Sequence, residues 1–294
     1  MSRKSTFGLL GVPWDFTASL GWPGSRYAPA AIREAFKWIA MRYSEDGFYW
    51  IDEQQGIAVD NATFLVDRGD VEVLASDLSE SFRRIAIAAG TCWIDGQTLI
   101  ALGGDDGITY PIVKGLHDAS DGTWGVIHLD AHMDLLDRSP FQGAYSHSSH
   151  LRRITELSRV DSASIVQIGG RNFNFLESRE YALSRGITQI TAAQYWDCGT
   201  QAIVSKTVEA VHSEHTHLAI DVDVLDPAFA PGVGAFEPGG LTSRQLLDFI
   251  AGIAQHVDSL SIAEVNPLVD FRSLTSSVAA NIVGHFIASR LGAL

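Results

Sequence analysis

With 294 residues and 46% hydrophobic content, the chain can bury the core of one large α/β domain, and one domain over 1–294 is the simplest expectation. Its 21 Lys plus Arg against 35 Asp plus Glu leave a formal charge of -14, which repels phosphate backbones and anionic lipid heads. That excludes nucleic acid and acidic membrane surfaces as natural partners and suits a small cation or divalent metals. Only 19% of residues are charged and no polar low-complexity tract occurs, which argues against long disorder.

In chain order, Arg3 and Lys4 precede an apolar run that Pro13 and Asp15 end well short of a signal core, so 6–12 reads as a first strand. Helical periodicity follows over 29–43, where Pro29 suits a first turn, and over 78–95. Strands are expected at 98–102, 124–129, 164–168, 216–220 and 259–263. Helices are expected at 175–185, 202–212 and 281–291, with Gly186 as a stop. Thr242-Ser243-Arg244-Gln245 has capping-box spacing, so another helix starts there. Short apolar strands alternating with amphipathic helices predict an α/β fold with a mostly parallel sheet. No apolar run approaches the roughly 18 to 20 residues needed to cross a bilayer. Cys92 and Cys198 lack Cys-x-x-Cys spacing and read as buried, inert thiols of a reducing cytoplasm.

Nearly every predicted strand runs into an acidic or Gly-rich cluster at its C-terminal end, the edge where open α/β sheets bind ligands. The clusters are Gly103-Gly104-Asp105-Asp106-Gly107, Asp130-Ala131-His132-Met133-Asp134, Asp221-Val222-Asp223 and Glu264-Val265-Asn266-Pro267. Residues two apart in an extended segment share a face, which sets Asp130 with His132, and Asp221 with Asp223. A lone Asp-x-Asp more often stops a strand through an Asx turn. Several such clusters at one sheet edge instead imply bound cations, since crowded carboxylates repel. His128 reads as a core histidine on the face opposite this row, and His132 as the ligand.

These motifs resemble the ureohydrolase family of arginases and agmatinases, and the resemblance covers almost the whole chain. Gly11-Val12-Pro13-Trp14-Asp15, the segment Pro23 to Arg33, Asp67-Arg68-Gly69-Asp70-Val71 and the loop Pro231 to Leu241 carry it beside the clusters. It implies a three-layer αβα fold, a central parallel sheet and two Mn²⁺ ions bridged by a hydroxide, with Ni²⁺ or another divalent ion as a substitute. Carried over by position, Asp130 and Asp221 bridge the ions, Asp106 and Asp134 complete one site, and His132 with Asp223 completes the other. Glu264 then holds the guanidinium group of a small cationic substrate. In Tyr145 to Arg153, His147 matches the proton-shuttling histidine, while His150 is near enough to replace it. The resemblance also implies a homo-oligomer, a trimer or hexamer.

Several positions depart from the family. Asp106 stands where the family has a histidine ligand and Gly107 where it has serine, which implies a more oxygen-rich site. Leu136 and Asn174 replace residues that in arginases contact the α-carboxylate and α-amine, so arginine is disfavoured. A Leu135-Leu136 wall points instead to agmatine or another ω-guanidino compound, cleaved to urea and an amine. Ala235-Phe236 stands where the family usually has Thr-Pro. The competing readings are a formimino or other amidine hydrolase and a catalytically silent subunit.

Overall fold

The computed structural model describes residues 6–17, 22–44, 46–59 and 64–292; Arg3 and Lys4 lie outside them. Its elements begin with β1 Phe7–Gly11, α1 Ala28–Ala40, β2 Phe48–Trp50, β3 Gln55–Ile57, β4 Leu65–Asp70, α2 Leu78–Ile94, β5 Thr98–Leu102, α3 Thr109–Asp118 and β6 Trp124–Leu129. There follow α4 His150–Thr155, β7 Val160–Gly170, α5 Leu176–Ser184, β8 Thr188–Thr191, α6 Ala192–Cys198 and α7 Thr200–Ala210. The chain then forms β9 His215–Asp221, α8 Ser243–Ile253, β10 Ser259–Ala263 and α9 Leu274–Gly292.

Eight strands form one sheet in the order β4-β1-β5-β10-β9-β6-β7-β8, and every pairing within it is parallel. Parallel pairing follows from the sequence: apart from His128 in β6, the residues of β5, β6 and β10 are apolar or small, and all three strands are buried along their whole length and suited to cover on both faces. Alternation then assigns the layers. Ile100 and Leu102 of β5 pack with Ile32, Phe36, Phe249 and Phe286 from α1, α8 and α9. Leu99 and Ala101 face the other way, onto Phe82, Ile85 and Ile112 of α2 and α3. Val126 of β6 joins Leu151 and Ile154 of α4 on that second face. The result is the expected three-layer αβα arrangement.

Local signals set several boundaries. Thr242 and Gln245 close a reciprocal capping box at the start of α8. Gly186 takes a left-handed φ of 71° just beyond α5, where its lack of a Cβ makes the turn cheap. Cys92 is buried as expected, but Cys198 is exposed. The seven-residue α6 buries only Ala192 and Tyr195, and Cys198 falls at its end, where the chain turns away at Gly199. Among the described residues, no helix is long and apolar enough to cross a membrane.

The connectivity positions the site. The first half of the chain lays down β4-β1-β5 and the next part β6-β7-β8; the chain then returns to insert β10 and β9 between β5 and β6. The C-terminal ends of these four central strands therefore lie side by side, and the loops leaving them converge above the middle of the sheet.

Candidate metal centre and active site

The loop after β5 packs tightly against the end of β1. A Cβ on Gly104 would stand 2.0 Å from the carbonyl oxygen of Trp14, so only glycine permits this approach. The next two aspartates divide the work. Asp105 is fully buried and structural: it accepts hydrogen bonds from the amide of Gly107 at 3.0 Å and from the amide and hydroxyl of Thr17 at 3.0 and 2.9 Å. Burial, aided by the nearby charge of Glu264, pushes its carboxyl up to about 8. Asp106 turns the other way. Its Oδ1 accepts the hydroxyl of Thr109 at 2.5 Å, and its Oδ2 lies 3.1 Å from His128 Nε2.

Asp130, just past β6, accepts the amide of His132 on Oδ1 at 2.6 Å, whereas its Oδ2 is enclosed with no hydrogen-bond partner. Asp221 closes β9 and accepts the amide of Asp223 on Oδ1 at 2.8 Å. The strand-stopping turn and the inward-facing donor thus coexist in one residue. Asp223 arrives through a 3₁₀ turn, Val222–Val224, and not along an extended segment. Its Oδ1 accepts the Ala131 amide at 3.0 Å and its Oδ2 lies 3.0 Å from His132 Nδ1. Asp134 and Glu264 hold left-handed φ angles of 49° and 64°, which non-glycine residues adopt at a cost of order 1–3 kcal/mol.

All six acidic and imidazole residues singled out as ligands in the sequence meet here. Donor atoms of Asp130, His132 and Asp223 lie within 4.8 Å of one another, as do those of Asp106, Asp130 and Asp221. A third group joins Asp106 and Asp134 to His128 and His150 within the same limit. Burial raises Asp134 and Asp221 well above the usual carboxylate range, and the charge of Asp130 and, for Asp221, Asp223 adds to it. Burial raises Asp223 as well, against the opposing pull of His132. Crowded buried carboxylates of this kind, one with an enclosed orphan oxygen, fit divalent cations through oxygen-rich donor sets with added imidazole.

Glu264 stands at the rim of this cluster. Its Oε1 accepts the Asp106 amide at 3.0 Å, its Oε2 the Ser25 hydroxyl at 3.5 Å, and its own amide donates to Gly104 at 2.9 Å. The N-terminal motifs serve this post: Asp15 accepts the Gly24 amide at 2.8 Å and pairs with Arg26 at 2.5 Å, fixing the segment that carries Ser25. His147 Nδ1 lies 3.5 Å from Glu264 Oε1, and its Nε2 lies 3.2 Å from the Gln142 amide. Burial would lower the His147 pKa, but the contact with Glu264 and the nearby aspartates outweigh it and shift it upward. His150 does not compete for this place, being buried, with Nδ1 at 2.8 Å from the His147 carbonyl.

Two expectations need correction. His128 is buried, as expected, but faces the ligand row: its Nε2 is 3.3 Å from Asp130 Oδ2. Positions 128 and 130 differ by two and so share a strand face, which the period-two rule itself requires. Of the Leu135-Leu136 pair, only Leu136 lines the cleft; Leu135 packs beneath it in the α4 layer. The open cleft, about 660 Å³, is also walled by Phe173, Asn174, Phe175 and Ala235. Phe173 and Phe175 gave no signal in the sequence because exposed loop aromatics follow no period. Arg171 was missed too; its guanidinium ties together the carbonyls of Asp223 at 2.6 Å and Glu237 at 2.6 Å, bracing the loop after β9.

A model of the arginase family matches residues 5–288. Mitochondrial guanidino acid hydrolase of Homo sapiens is 31% identical over 283 residues, 96% of this chain and 77% of that protein. Mitochondrial agmatinase of Gallus gallus is 30% identical over 277 residues, 94% of this chain and 78% of that one. The crystal structure of formimidoylglutamase from Bacillus subtilis superposes with a TM-score of 0.85 at 26% identity, covering 98% of this chain and 88% of the other. The match takes in all eight strands of the sheet and every residue of its acidic edge, and the chain belongs to the arginase family, hydrolases of amidine C–N bonds.

Proposed function

We infer that this chain hydrolyses the guanidinium C–N bond of a small compound lacking a carboxylate, in the manner of an agmatinase, and releases urea and an amine. One observation carries the reading. A buried glutamate and a two-ion donor cluster share a cleft whose described lining holds no Lys or Arg. A substrate carboxylate would meet no cation there, whereas a methylene chain meets Leu136, Phe173 and Phe175. Of the relatives named above, agmatinase takes its name from a guanidino compound without a carboxylate.

In this reading one ion would be held by Asp106, Asp130, Asp134 and Asp221, and the other by Asp130, His132, Asp221 and Asp223. Carboxylates outnumber imidazoles in that set, which suits Mn²⁺ best and leaves Ni²⁺ or another divalent ion as a substitute. Bound, the ions supply an acidified water near neutral pH and a Lewis acid for the charge that develops. Glu264 pairs with the guanidinium, and the Asp106 amide and Ser25 hydroxyl keep its carboxylate from rotating. His147, whose pKa the neighbouring Glu264 raises, is the group placed to deliver a proton to the departing amine nitrogen. Leu136 and the two phenylalanines shed water around the bound chain.

The same reading takes the chain as one domain over 1–294, on the support of its single large sheet. It also takes it as a cytoplasmic homo-oligomer, trimer or hexamer, on the support of the family resemblance and the sparse cysteine content. Metal analysis after growth with added Mn²⁺ and Ni²⁺, beside urea release from agmatine, guanidinobutyrate, guanidinopropionate and arginine, tests the function. Two ions per chain and fastest turnover of agmatine are expected. Metal-free protein, or turnover confined to the acids, overturns it.

A further inference from the structure

Two buried imidazoles, His128 and His150, face the same carboxylate, and their hydrogen bonds set them in opposite tautomers. Gln167 donates its amide to the Met133 carbonyl at 2.7 Å and accepts the Gln189 amide on Oε1 at 2.9 Å, so it can only present N–H to His128 Nδ1, 3.5 Å away. His128 therefore carries its proton on Nε2 and donates it to Asp106 Oδ2 at 3.1 Å. In His150, the first residue of α4, Nδ1 lies 2.8 Å from the carbonyl of His147 and must be the protonated nitrogen. The lone pair is left on Nε2. That atom is enclosed, has no hydrogen-bond partner, and lies 3.4 Å from Asp106 Oδ2, the oxygen that His128 already serves.

A lone pair aimed at a carboxylate oxygen across this distance is repulsive, and a cation between the two removes the repulsion. An imidazole that donates one N–H to a backbone carbonyl and turns its other nitrogen inward is arranged as metal-binding histidines are. We propose that His150 Nε2 is a ligand of the ion held by Asp106 and Asp134, giving that ion an imidazole from the start of α4 and not from the loop after β5. The proposal rests on the two-ion reading above and adds a donor to it. It also explains how aspartate can stand at position 106: the imidazole is supplied from another segment of the chain.

The test compares wild type with His150→Ala by elemental analysis, chelator competition and proton NMR of the Co²⁺-loaded protein. Wild type should hold two ions and show two contact-shifted imidazole N–H resonances, from His132 and His150. His150→Ala should lose one of these resonances and bind one ion at least about 100-fold more weakly, beyond the 10- to 100-fold typical of a lost outer contact. Should the variant not fold, the wild-type resonance count decides alone. A single shifted resonance in wild type, or a variant that binds both ions as tightly as wild type, overturns the proposal while leaving the two-ion reading intact. Wild type without ions overturns both.

Discussion

Replacing Glu264 by glutamine isolates its charge, because the surrounding hydrogen bonds survive. The amide oxygen of glutamine still accepts the Asp106 N–H, now 3.0 Å from Oε1, and its nitrogen can donate to the Ser25 hydroxyl that presently donates to Oε2. What disappears is a negative charge only 6% exposed, placed to meet a guanidinium. Two unit charges at about 4 Å and an effective dielectric constant of about 20 attract by roughly 4 kcal/mol, and removing one partner of a desolvated pair costs about 2–5 kcal/mol. Steady-state urea release should therefore show kcat/KM falling about 30- to 5,000-fold. Metal content should be unchanged, since Glu264 belongs to none of the donor groups. A second signature comes from His147, whose pKa Glu264 raises against burial. Without that charge the alkaline limb of the kcat profile should move to lower pH. Unchanged kcat/KM would refute the substrate-binding role, and loss of an ion would recast Glu264 as a ligand.

Stripping the metal should reverse the usual effect of base on stability. Asp134, Asp221 and Asp105 have folded-state pKa values raised by burial, the last to about 8, and His132 and His147 are raised as well. A group raised on folding contributes stability that is full below its unfolded pKa and is lost as pH climbs through the folded value. Between pH 7 and 8 the chelated protein should thus lose Tm as pH rises, while the Tm gained on reloading metal grows; a chelated Tm that rises across this window counts against the argument. Asn174→Arg places a cation in the cleft wall and should raise kcat/KM for guanidinobutyrate relative to agmatine by about 10- to 100-fold, the equivalent of a charge-assisted hydrogen bond of roughly 1.5–3 kcal/mol. An unaltered ratio would show that the substrate tail does not pass Asn174.

Elements that bury a continuous apolar run were legible to the residue: β5, β6 and β10 span 98–102, 124–129 and 259–263, as their sequences require. The edge strands were not. β4 reads Leu-Val-Asp-Arg-Gly-Asp, half polar because one side of it meets no other strand, and β8 has only four residues. α9 begins at Leu274, seven positions before its predicted start, since a helix buried on nearly every side shows no polar stripe to mark its course. The proposed ligands were legible because several acids end neighbouring strands at one edge of the sheet, whereas a single pair would read as a strand-stopping turn. His150 as part of the cluster was not, because its reach depends on where α4 docks and no spacing within Tyr145 to Arg153 encodes that.

The donors around the cluster leave the sheet from β5, β6 and β9, with Glu264 beyond β10, and the contact between Asp106 and Glu264 spans 158 positions of sequence. No short fragment of the chain brings all of these groups together, so the complete donor set exists only in the finished fold. Bound ions would act as a clasp over the middle of the sheet, and their binding energy would enter the stability of the whole molecule and not that of any one loop. Such distant pairings form slowly. A nascent or partly unfolded chain lacks the complete donor set, so metal loading would follow assembly of the sheet.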